Sequence, residues 1–192
     1  MAYCIMRVEK RKRAALYGLQ IEANRTTADH EKGRDFTASD IQWCLTDFNM
    51  YLVKSENWNK AVTAAFKEAE IQERKNSVVV LDGFYGATPD WFKDKNIDEI
   101  VSYFKDCLAF HDQNYGKVIN AVIHFDEATP HLHIDFIPFT TGSKRGLETR
   151  VSLKRAMLNM GFKGEGRSDN ELNRWILSEK KVLAQIMERH DI

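Results

Sequence analysis

Two apolar, strand-like runs separated by a short polar connection constrain the fold of this chain more than any other feature. The runs span residues Val118–His124 and His131–Phe139, and Phe125–Pro130 joins them. Runs this close in sequence predict an antiparallel hairpin. We expect this hairpin to form the centre of a β-sheet.

The hairpin carries three histidines whose placement indicates a metal site. Alternate residues of a strand face the same way, so His131 and His133 share one face and Leu132 faces the other. Pairing with the preceding strand places His124 opposite or diagonal to them. Three imidazoles around an open coordination position are typical of a catalytic metal centre. Imidazole suits zinc, nickel, copper and iron better than magnesium, so residue types alone leave the ion open.

Two acidic residues in the connection, Asp126 and Glu127, are predicted to support this centre. Carboxylates accept hydrogen bonds from imidazole N–H groups or hold a metal-bound water. Glu127 is therefore a candidate for orienting a ligand or assisting proton transfer.

The rest of the chain alternates between strand and helix patterns. A period of two in branched and aromatic residues predicts strands, and apolar residues three and four apart predict helices. Asn96 and Glu99 also have the form of an N-terminal capping box. The predicted strands are Tyr3–Glu9 and Ser77–Phe84, the predicted helices are Thr37–Tyr51, Trp58–Ala69, Asn96–Leu108, Ser152–Met160 and Asn170–Met187, and Lys10–Asp35 is predicted to be mostly loop with short helical pieces.

Length and composition exclude several classes of protein. The 192 residues predict one domain over residues 1–192, and 43% hydrophobic with 29% charged residues indicates a globular rather than a disordered chain. No apolar run is long enough to span a membrane and no secretory signal precedes the first strand, which predicts a cytoplasmic protein. The chain ends in helix-like sequence at Ile192, so we expect a further carboxyl-terminal region.

The formal net charge is zero, so no overall basic surface favours nucleic acid. The basic residues are nevertheless clustered, which leaves local basic patches possible. The candidates for contacting DNA phosphates are Lys10, Arg11, Lys12 and Arg13 after the first strand, and Lys144 and Arg145 after the hairpin.

The segment HFDEATPHLHIDFIPF, residues His124–Phe139, resembles the signature of the Mob/Pre plasmid mobilisation proteins, the MobV-type relaxases of the HUH endonuclease superfamily. The spacing HxDExTPHxH is far more restrictive than a bare HxH pair. The resemblance extends to Tyr3, Arg7 and Asn24–Arg25 near the amino terminus and to the Thr140–Gly146 loop.

This resemblance implies an α+β fold with a central antiparallel sheet flanked by helices. It implies that His124, His131 and His133 hold Mn²⁺ or Mg²⁺, which binds the scissile phosphate of plasmid transfer-origin DNA in single-stranded and hairpin form. The implied reaction nicks and rejoins one strand through a covalent 5′-phosphate adduct. Asn24 is implied to contact the DNA, and conjugative coupling machinery is implied to bind regions outside this chain.

The chain departs from the family pattern at its first motif. The family commonly has HNxR with histidine as the nucleophile, whereas this chain reads Glu22, Ala23, Asn24, Arg25. Alignment on Arg25 places Glu22 at the position of the nucleophile. The planar donors of Arg25 suit bidentate contact with a phosphate.

Several interpretations of the departure remain open. Glu22 attacks the phosphate as a carboxylate nucleophile; another residue, His30, Tyr17 or Tyr51, attacks; or the domain is a noncatalytic module that binds origin DNA. A different class of enzyme, a three-histidine metal hydrolase or oxygenase acting on a small molecule, is a further alternative.

Overall fold

Five antiparallel strands form a sheet at the centre of the computed structural model, which describes residues 3–26, 41–114, 116–140 and 150–190. The histidine hairpin occupies the middle of this sheet, which confirms the predicted α+β fold with a central antiparallel sheet. In chain order the strands are β1 (Cys4–Lys12), β2 (Met50–Lys54), β3 (Val78–Ala87), β4 (Val118–His124) and β5 (His131–Phe136), and across the sheet they lie in the order β1-β3-β5-β4-β2.

Helices cover both faces of the sheet. One buried cluster contains Leu16, Trp58 and Val122, and a second, on the opposite face, contains Phe104 and Leu132. Because Leu132 belongs to the second cluster, its neighbours in β5 face the first. The helices are α1 (Leu16–Asn24) and α2 (Trp58–Glu68) on the first face, α4 (Ile97–Asn114), α5 (Leu153–Asn159) and α6 (Glu171–Glu188) on the second, and the short α3 (Pro89–Phe92) after β3.

The segment after Glu9 is more regular than the predicted loop. β1 continues to Lys12 because it pairs with β3 along its length, and a 3-10 helix, Arg13–Ala15, leads into α1. Leu16, Leu19 and Ala23 of α1 are buried against Trp58. This packing across elements, which the local pattern does not reveal, stabilises a helix of nine residues.

The predicted helix over Thr37–Tyr51 is wrong for its described part. A 3-10 helix occupies Trp43–Phe48, and the edge strand β2 follows directly. The segment before β2 is held by contacts with the remote Asp126 rather than by its own apolar spacing, since Gln42 N–H donates to the Asp126 carbonyl at 2.6 Å.

The remaining predicted helices are present. The capping box is formed as predicted: Asn96 N–H donates to Glu99 Oε2 at 2.8 Å, and Glu99 N–H donates to Asn96 Oδ1 at 3.0 Å. β5 ends at Phe136, earlier than predicted, and β6 (Phe139–Thr140) pairs instead with β7 (Arg150–Val151). No helix in the described ranges has both the length and the apolarity that crossing a membrane requires.

Candidate metal centre and its pocket

His124, His131 and His133 lie together on the face of the sheet that α1 covers. His124 pairs directly with His131 across the hairpin, and one ligand nitrogen from each of the three rings lies within 4.8 Å of the others. The ring centroids are 5.1 to 5.3 Å apart, so the three rings form a nearly equilateral triangle. The geometry that the sequence predicts for the histidines is therefore present.

The protonated nitrogen of His124 is fixed by a backbone carbonyl. Its Nε2 lies 3.0 Å from the Ala23 carbonyl oxygen. Because a carbonyl oxygen only accepts hydrogen bonds, Nε2 carries the proton. Nδ1 is then left with a lone pair, which lies 3.2 Å from Arg25 Nη2 and 3.4 Å from His131 Nε2.

The other two histidines are oriented in the same manner. His131 Nδ1 donates to the Thr129 carbonyl oxygen at 2.9 Å, and His133 Nδ1 donates to Asp82 Oδ1 at 3.4 Å. In both rings the donating nitrogen is Nδ1, so Nε2 carries the lone pair. Hydrogen bonds of this kind orient imidazole ligands and set their tautomers in metal sites.

The lone pairs of His131 Nε2 and His133 Nε2 therefore suit a cation, and that of His124 Nδ1 also accepts from Arg25 Nη2. His124 Nδ1 and His131 Nε2 both present lone pairs across 3.4 Å, with no proton to share between them. Burial, with the nearby charge of Arg25, lowers the pKa of His124 to about 2. Burial, with the neighbouring His133, lowers the pKa of His131 to about 4. Both rings are neutral at pH 7, as metal coordination requires.

Arg25 connects the end of α1 to the turn of the hairpin. It caps the helix in the left-handed conformation, with φ 50° and ψ 45°, and is 6% exposed. Its Nε donates to Asp126 Oδ2 at 2.9 Å and its Nη2 to Asp126 Oδ1 at 3.3 Å, and Nη2 also contacts Glu127. This arrangement favours a positioning role for Arg25, whereas its predicted contact with a phosphate remains a prediction.

Asp126 is fully buried, and its carboxylate accepts hydrogen bonds from two segments of the chain. Besides Arg25, Thr46 Oγ1 donates to Asp126 Oδ2 at 3.1 Å and Asn49 Nδ2 donates to it at 2.8 Å. Burial opposes ionisation of Asp126, but the hydrogen bonds from Arg25 and Asn49 and the charge of Arg25 outweigh it and lower the pKa of the carboxyl. Asn49 also accepts a hydrogen bond from the Phe125 N–H at 2.8 Å, so the segment before β2 is bonded directly to the histidine hairpin.

An open pocket leads to the histidines, and Glu22 lines it. The exposed Glu22 side chain lies in the last turn of α1, in a pocket that His124 and His133 also line. Glu127 lines the same pocket, and its Oε1 lies 3.8 Å from His131 Nε2. The structure thus brings Glu22 and Glu127 to the metal centre, while their catalytic roles remain predictions.

The other candidate nucleophiles are placed differently. Tyr17 is exposed on α1, and Tyr51 donates its hydroxyl proton to the Asn24 carbonyl at 3.2 Å. Neither tyrosine lines the pocket. Burial raises the pKa of the Tyr51 hydroxyl, which disfavours the phenolate needed for attack. His30 lies outside the described residues.

The predicted basic run does not form one continuous surface. Alternation along β1 turns Arg11 toward the pocket and Lys10 toward the opposite side of the sheet. Arg11 pairs with Asp82 at 2.6 Å, and Arg13 pairs with Glu73. Lys10 and Lys12 are exposed, whereas Lys144 and Arg145 lie outside the described residues. Contact of these six with DNA remains a prediction.

Asn24 is half-buried at the end of α1. Its side-chain Oδ1 is buried without a hydrogen-bond partner in the part of the chain that the structure describes. Its predicted contact with DNA likewise remains a prediction.

Asp82 is a site residue that the sequence analysis missed. It lies on β3 opposite Asp135, accepts from His133 and pairs with Arg11. Burial opposes ionisation of Asp82, but the hydrogen bond from His133 and the contact with Arg11 outweigh it and lower the pKa of the carboxyl. A carboxylate inside the apolar run Val78–Tyr85 is the signal that could have revealed it, because a buried charge needs a partner.

A central antiparallel hairpin that carries three oriented imidazoles, two of them lining an open pocket, defines an α+β domain with a candidate metal site. The model of the family Mob_Pre, described as plasmid recombination enzyme, matches residues 1–170. The chain therefore belongs to the Mob_Pre family of plasmid recombination enzymes, and the resemblance seen in the sequence is confirmed.

Relatives of known name are similar over most of this chain. A plasmid recombination enzyme of Bacillus thuringiensis is 28% identical over an alignment 199 residues long, which covers 94% of this chain and 43% of that protein. A plasmid recombination enzyme type 3 of Staphylococcus aureus is 27% identical over 165 residues, covering 82% of this chain and 38% of that protein. The chain thus spans less than half the length of these relatives.

Solved structures share the fold. The MobM relaxase domain, described as Mn-bound and bound to plasmid pMV158 oriT DNA at pH 6.8, superposes with a TM-score of 0.65 and 22% identity, covering 82% of this chain and 83% of that one. A second structure of the same domain and DNA, at pH 5.5, gives a TM-score of 0.62 over 75% of this chain. At this identity the likeness establishes the fold.

Proposed function

We propose that residues 1–192 form a metal-dependent relaxase domain that nicks and rejoins one strand of plasmid transfer-origin DNA and so initiates mobilisation. The observation that carries the proposal is the cluster of three imidazoles, of which His124 and His133 line one open pocket together with Glu22. Membership of the Mob_Pre family and the Mn-bound, oriT-bound MobM domain support it.

His124, His131 and His133 would hold a divalent ion, Mn²⁺ or Mg²⁺, and Mn²⁺ is favoured because imidazole is a poorer ligand for Mg²⁺. The bound ion supplies Lewis-acid stabilisation of charge on the phosphate oxygens during in-line displacement. The protein's own contribution is to orient the three rings through Ala23, Thr129 and Asp82.

Glu22 is the nucleophile in this proposal. A Glu22 carboxylate oxygen forms a bond to the scissile phosphorus while the bond from phosphorus to the 3′-oxygen breaks. The 3′-oxygen leaves with its electron pair and takes a proton from solvent, and the 5′-phosphate remains on Glu22 as an acyl phosphate. Attack by a 3′-hydroxyl on this acyl phosphate reverses the step, restoring the strand and the free carboxylate.

Two neighbouring residues assist in the proposed reaction. Arg25 holds Glu127 at the pocket through a direct ion pair. Glu127 then supplies a carboxylate near His131, suited to accept the proton of the 3′-hydroxyl when that hydroxyl attacks in the rejoining step. Plasmid DNA lies in the cytoplasm, and the proposal therefore places the chain there. Contact with conjugative coupling machinery would involve regions outside this chain.

The experiment is a nicking assay on supercoiled plasmid that carries the DNA upstream of the chain's own gene, with Mn²⁺ and with EDTA. The variants are Glu22→Gln and Glu22→Ala. Glu188→Gln, which changes an exposed glutamate on α6, is the matched control. We expect Mn²⁺-dependent open circles and a protein-linked 5′ end for the wild type and the control, and neither product for the Glu22 variants.

The adduct itself identifies the attacking group. Hydroxylamine releases DNA from an acyl phosphate, whereas a tyrosyl ester resists it. Release of the protein-linked strand by neutral hydroxylamine is expected. A hydroxylamine-resistant adduct would assign attack to a tyrosine such as Tyr17 or Tyr51, and nicking by Glu22→Gln would assign it to another residue such as His30. Origin binding by the wild type without any nick would leave a noncatalytic DNA-binding module and overturn the proposal.

A further inference from the structure

We propose that Arg7 binds a DNA phosphate in the pocket, adjacent to the phosphate at the histidines, while its guanidinium lies over the ring of Phe84. This inference rests on the proposed function and names the contact that places the strand. The basis is a cation that faces the pocket with no acidic or hydrogen-bonding partner among the described residues, beside an aromatic ring that also contacts two of the three histidines.

Arg7 is fixed at the pocket by the sheet. It lies on β1 directly opposite Phe84 on β3, and both residues line the pocket. The guanidinium carbon of Arg7 is 5.9 Å from the centre of the Phe84 ring. The arginine is exposed, so its N–H groups are accessible from solvent.

Phe84 connects Arg7 to the metal centre. Its ring stacks on His131 with centroids 4.7 Å apart, and it meets His133 edge to face at 5.6 Å. The ring therefore stands between Arg7 and these two histidines. Because β3 lies between the strands of Arg7 and His133, two strand spacings of about 4.8 Å separate these positions, and we therefore assign Arg7 to the phosphate next to the one at the histidines.

The other arginines of the pocket are already paired. Arg11 contacts Asp82 at 2.6 Å and Glu9 at 2.8 Å, and Arg25 is held by Asp126 and Glu127. Within the described residues, Arg7 makes no hydrogen bond or ion pair. Among the pocket arginines that the structure describes, it alone has its full set of donors available.

A position over the ring of Phe84 leaves the donors of Arg7 suited to a phosphate. A guanidinium over an aromatic face uses its flat side, and its N–H groups point outward along the edge. That edge matches two phosphate oxygens in a bidentate contact. The acidic Glu22 and Glu127 line the same pocket and would repel DNA, so a free cation there compensates for their charge.

The test measures binding of a fluorescent single-stranded oligonucleotide from the DNA upstream of the gene, with Mn²⁺. Arg7→Gln removes the charge, and Arg7→Lys keeps the charge but lacks the planar guanidinium group that makes a bidentate contact. Arg167→Gln, an exposed arginine in the loop between α5 and α6, is the matched control. We expect affinity to fall about tenfold to a hundredfold for Arg7→Gln, less for Arg7→Lys, and not for Arg167→Gln.

Charge removal on the DNA identifies the phosphate. Each phosphate of the oligonucleotide is replaced in turn by a neutral methylphosphonate. We expect one position at which the wild type loses affinity and Arg7→Gln does not. The slope of log affinity against log salt should also be smaller by about 0.7 for Arg7→Gln, the value for one contact with single-stranded DNA.

The outcomes separate this inference from the proposed function. If the wild type nicks and Arg7→Gln binds equally well, the inference is wrong and the proposed function stands. The inference is also wrong if no methylphosphonate position affects the affinity of the wild type more than that of Arg7→Gln. If the wild type binds but never nicks, the proposed function fails while the binding series still decides the role of Arg7. Absence of any DNA binding overturns both.

Discussion

Arg25 and Asp126 form a buried ion pair in which the residue that caps α1 contacts the turn of the histidine hairpin. The two side chains are 3% and 0% exposed, and their closest contact is 2.9 Å. Removing one partner from a buried pair leaves the other charge without compensation, which is costly.

We therefore expect Asp126→Ala to lower the free energy of unfolding by about 3 to 5 kcal/mol, measured by urea denaturation. Glu68→Ala, which removes an exposed pair with Lys117, should cost about 0 to 1 kcal/mol. Because Arg25 and Asp126 contact each other, the double variant with Arg25→Ala should cost less than the sum of the two single changes. Equal effects of Asp126→Ala and Glu68→Ala would contradict the structural role given to this pair.

Asp82 should control metal affinity without being a ligand. It accepts from His133 Nδ1, and carboxylates in this position raise ligand basicity and fix ring orientation. Asp82→Ala is expected to weaken Mn²⁺ binding about tenfold to a hundredfold, measured by titration calorimetry in the absence of DNA. The exposed Asp94→Ala provides the comparison. Unchanged affinity in Asp82→Ala would mean that His133 is oriented by other contacts.

His111 should make the fold sensitive to acid. It is 1% exposed and packs against Phe136 and Tyr85, and burial lowers its pKa to about 3. Below a pH of about 6.5 the unfolded chain binds a proton here that the folded chain does not. Stability is therefore lost as the pH falls from about 6.5 toward 3, by about 1.4 kcal/mol per pH unit from this residue.

His111→Leu removes that contribution. We expect the free energy of unfolding of His111→Leu, relative to that of the wild type, to rise by about 2 to 3 kcal/mol when the pH falls from 7 to 4.5. Urea denaturation at both pH values measures it. The difference between the two proteins isolates His111, since the other acid-sensitive groups are common to both. A difference that does not change with pH would show that His111 titrates normally in the folded state.

The capping box at the start of α4 should contribute measurable stability. Asn96→Ala removes the acceptor for the Glu99 N–H and should cost about 1 kcal/mol in thermal or urea unfolding. Ser102→Ala, at an exposed position inside the same helix, should leave stability nearly unchanged. A cost for Asn96→Ala no larger than that for Ser102→Ala would show that the cap is not formed in solution.

The hairpin could be predicted because its information is local. Two apolar runs with a short connection specify pairing, and a period of two then sets which side His131 and His133 face. The capping box was predictable for the same reason, since Asn96 and Glu99 are three residues apart.

The elements that the sequence analysis missed depend on remote partners. The 3-10 segment before β2 is positioned through Thr46 and Asn49, whose partner Asp126 lies about eighty residues later. Arg25 has donors suited to a phosphate, but its buried pairing with Asp126 becomes visible only when α1 is placed beside the hairpin. Such contacts leave no periodic signal in the chain.

Two adjacent residues of α1 contribute to the site differently, one through its side chain and the other through its backbone. The side chain of Glu22 faces the open pocket, whereas Ala23 contributes only its backbone carbonyl, which fixes the proton of His124. A backbone group is retained whatever side chain occupies a neighbouring position. Over evolutionary time, the residue at position 22 can therefore be exchanged for one of different chemistry without disturbing the tautomer of His124.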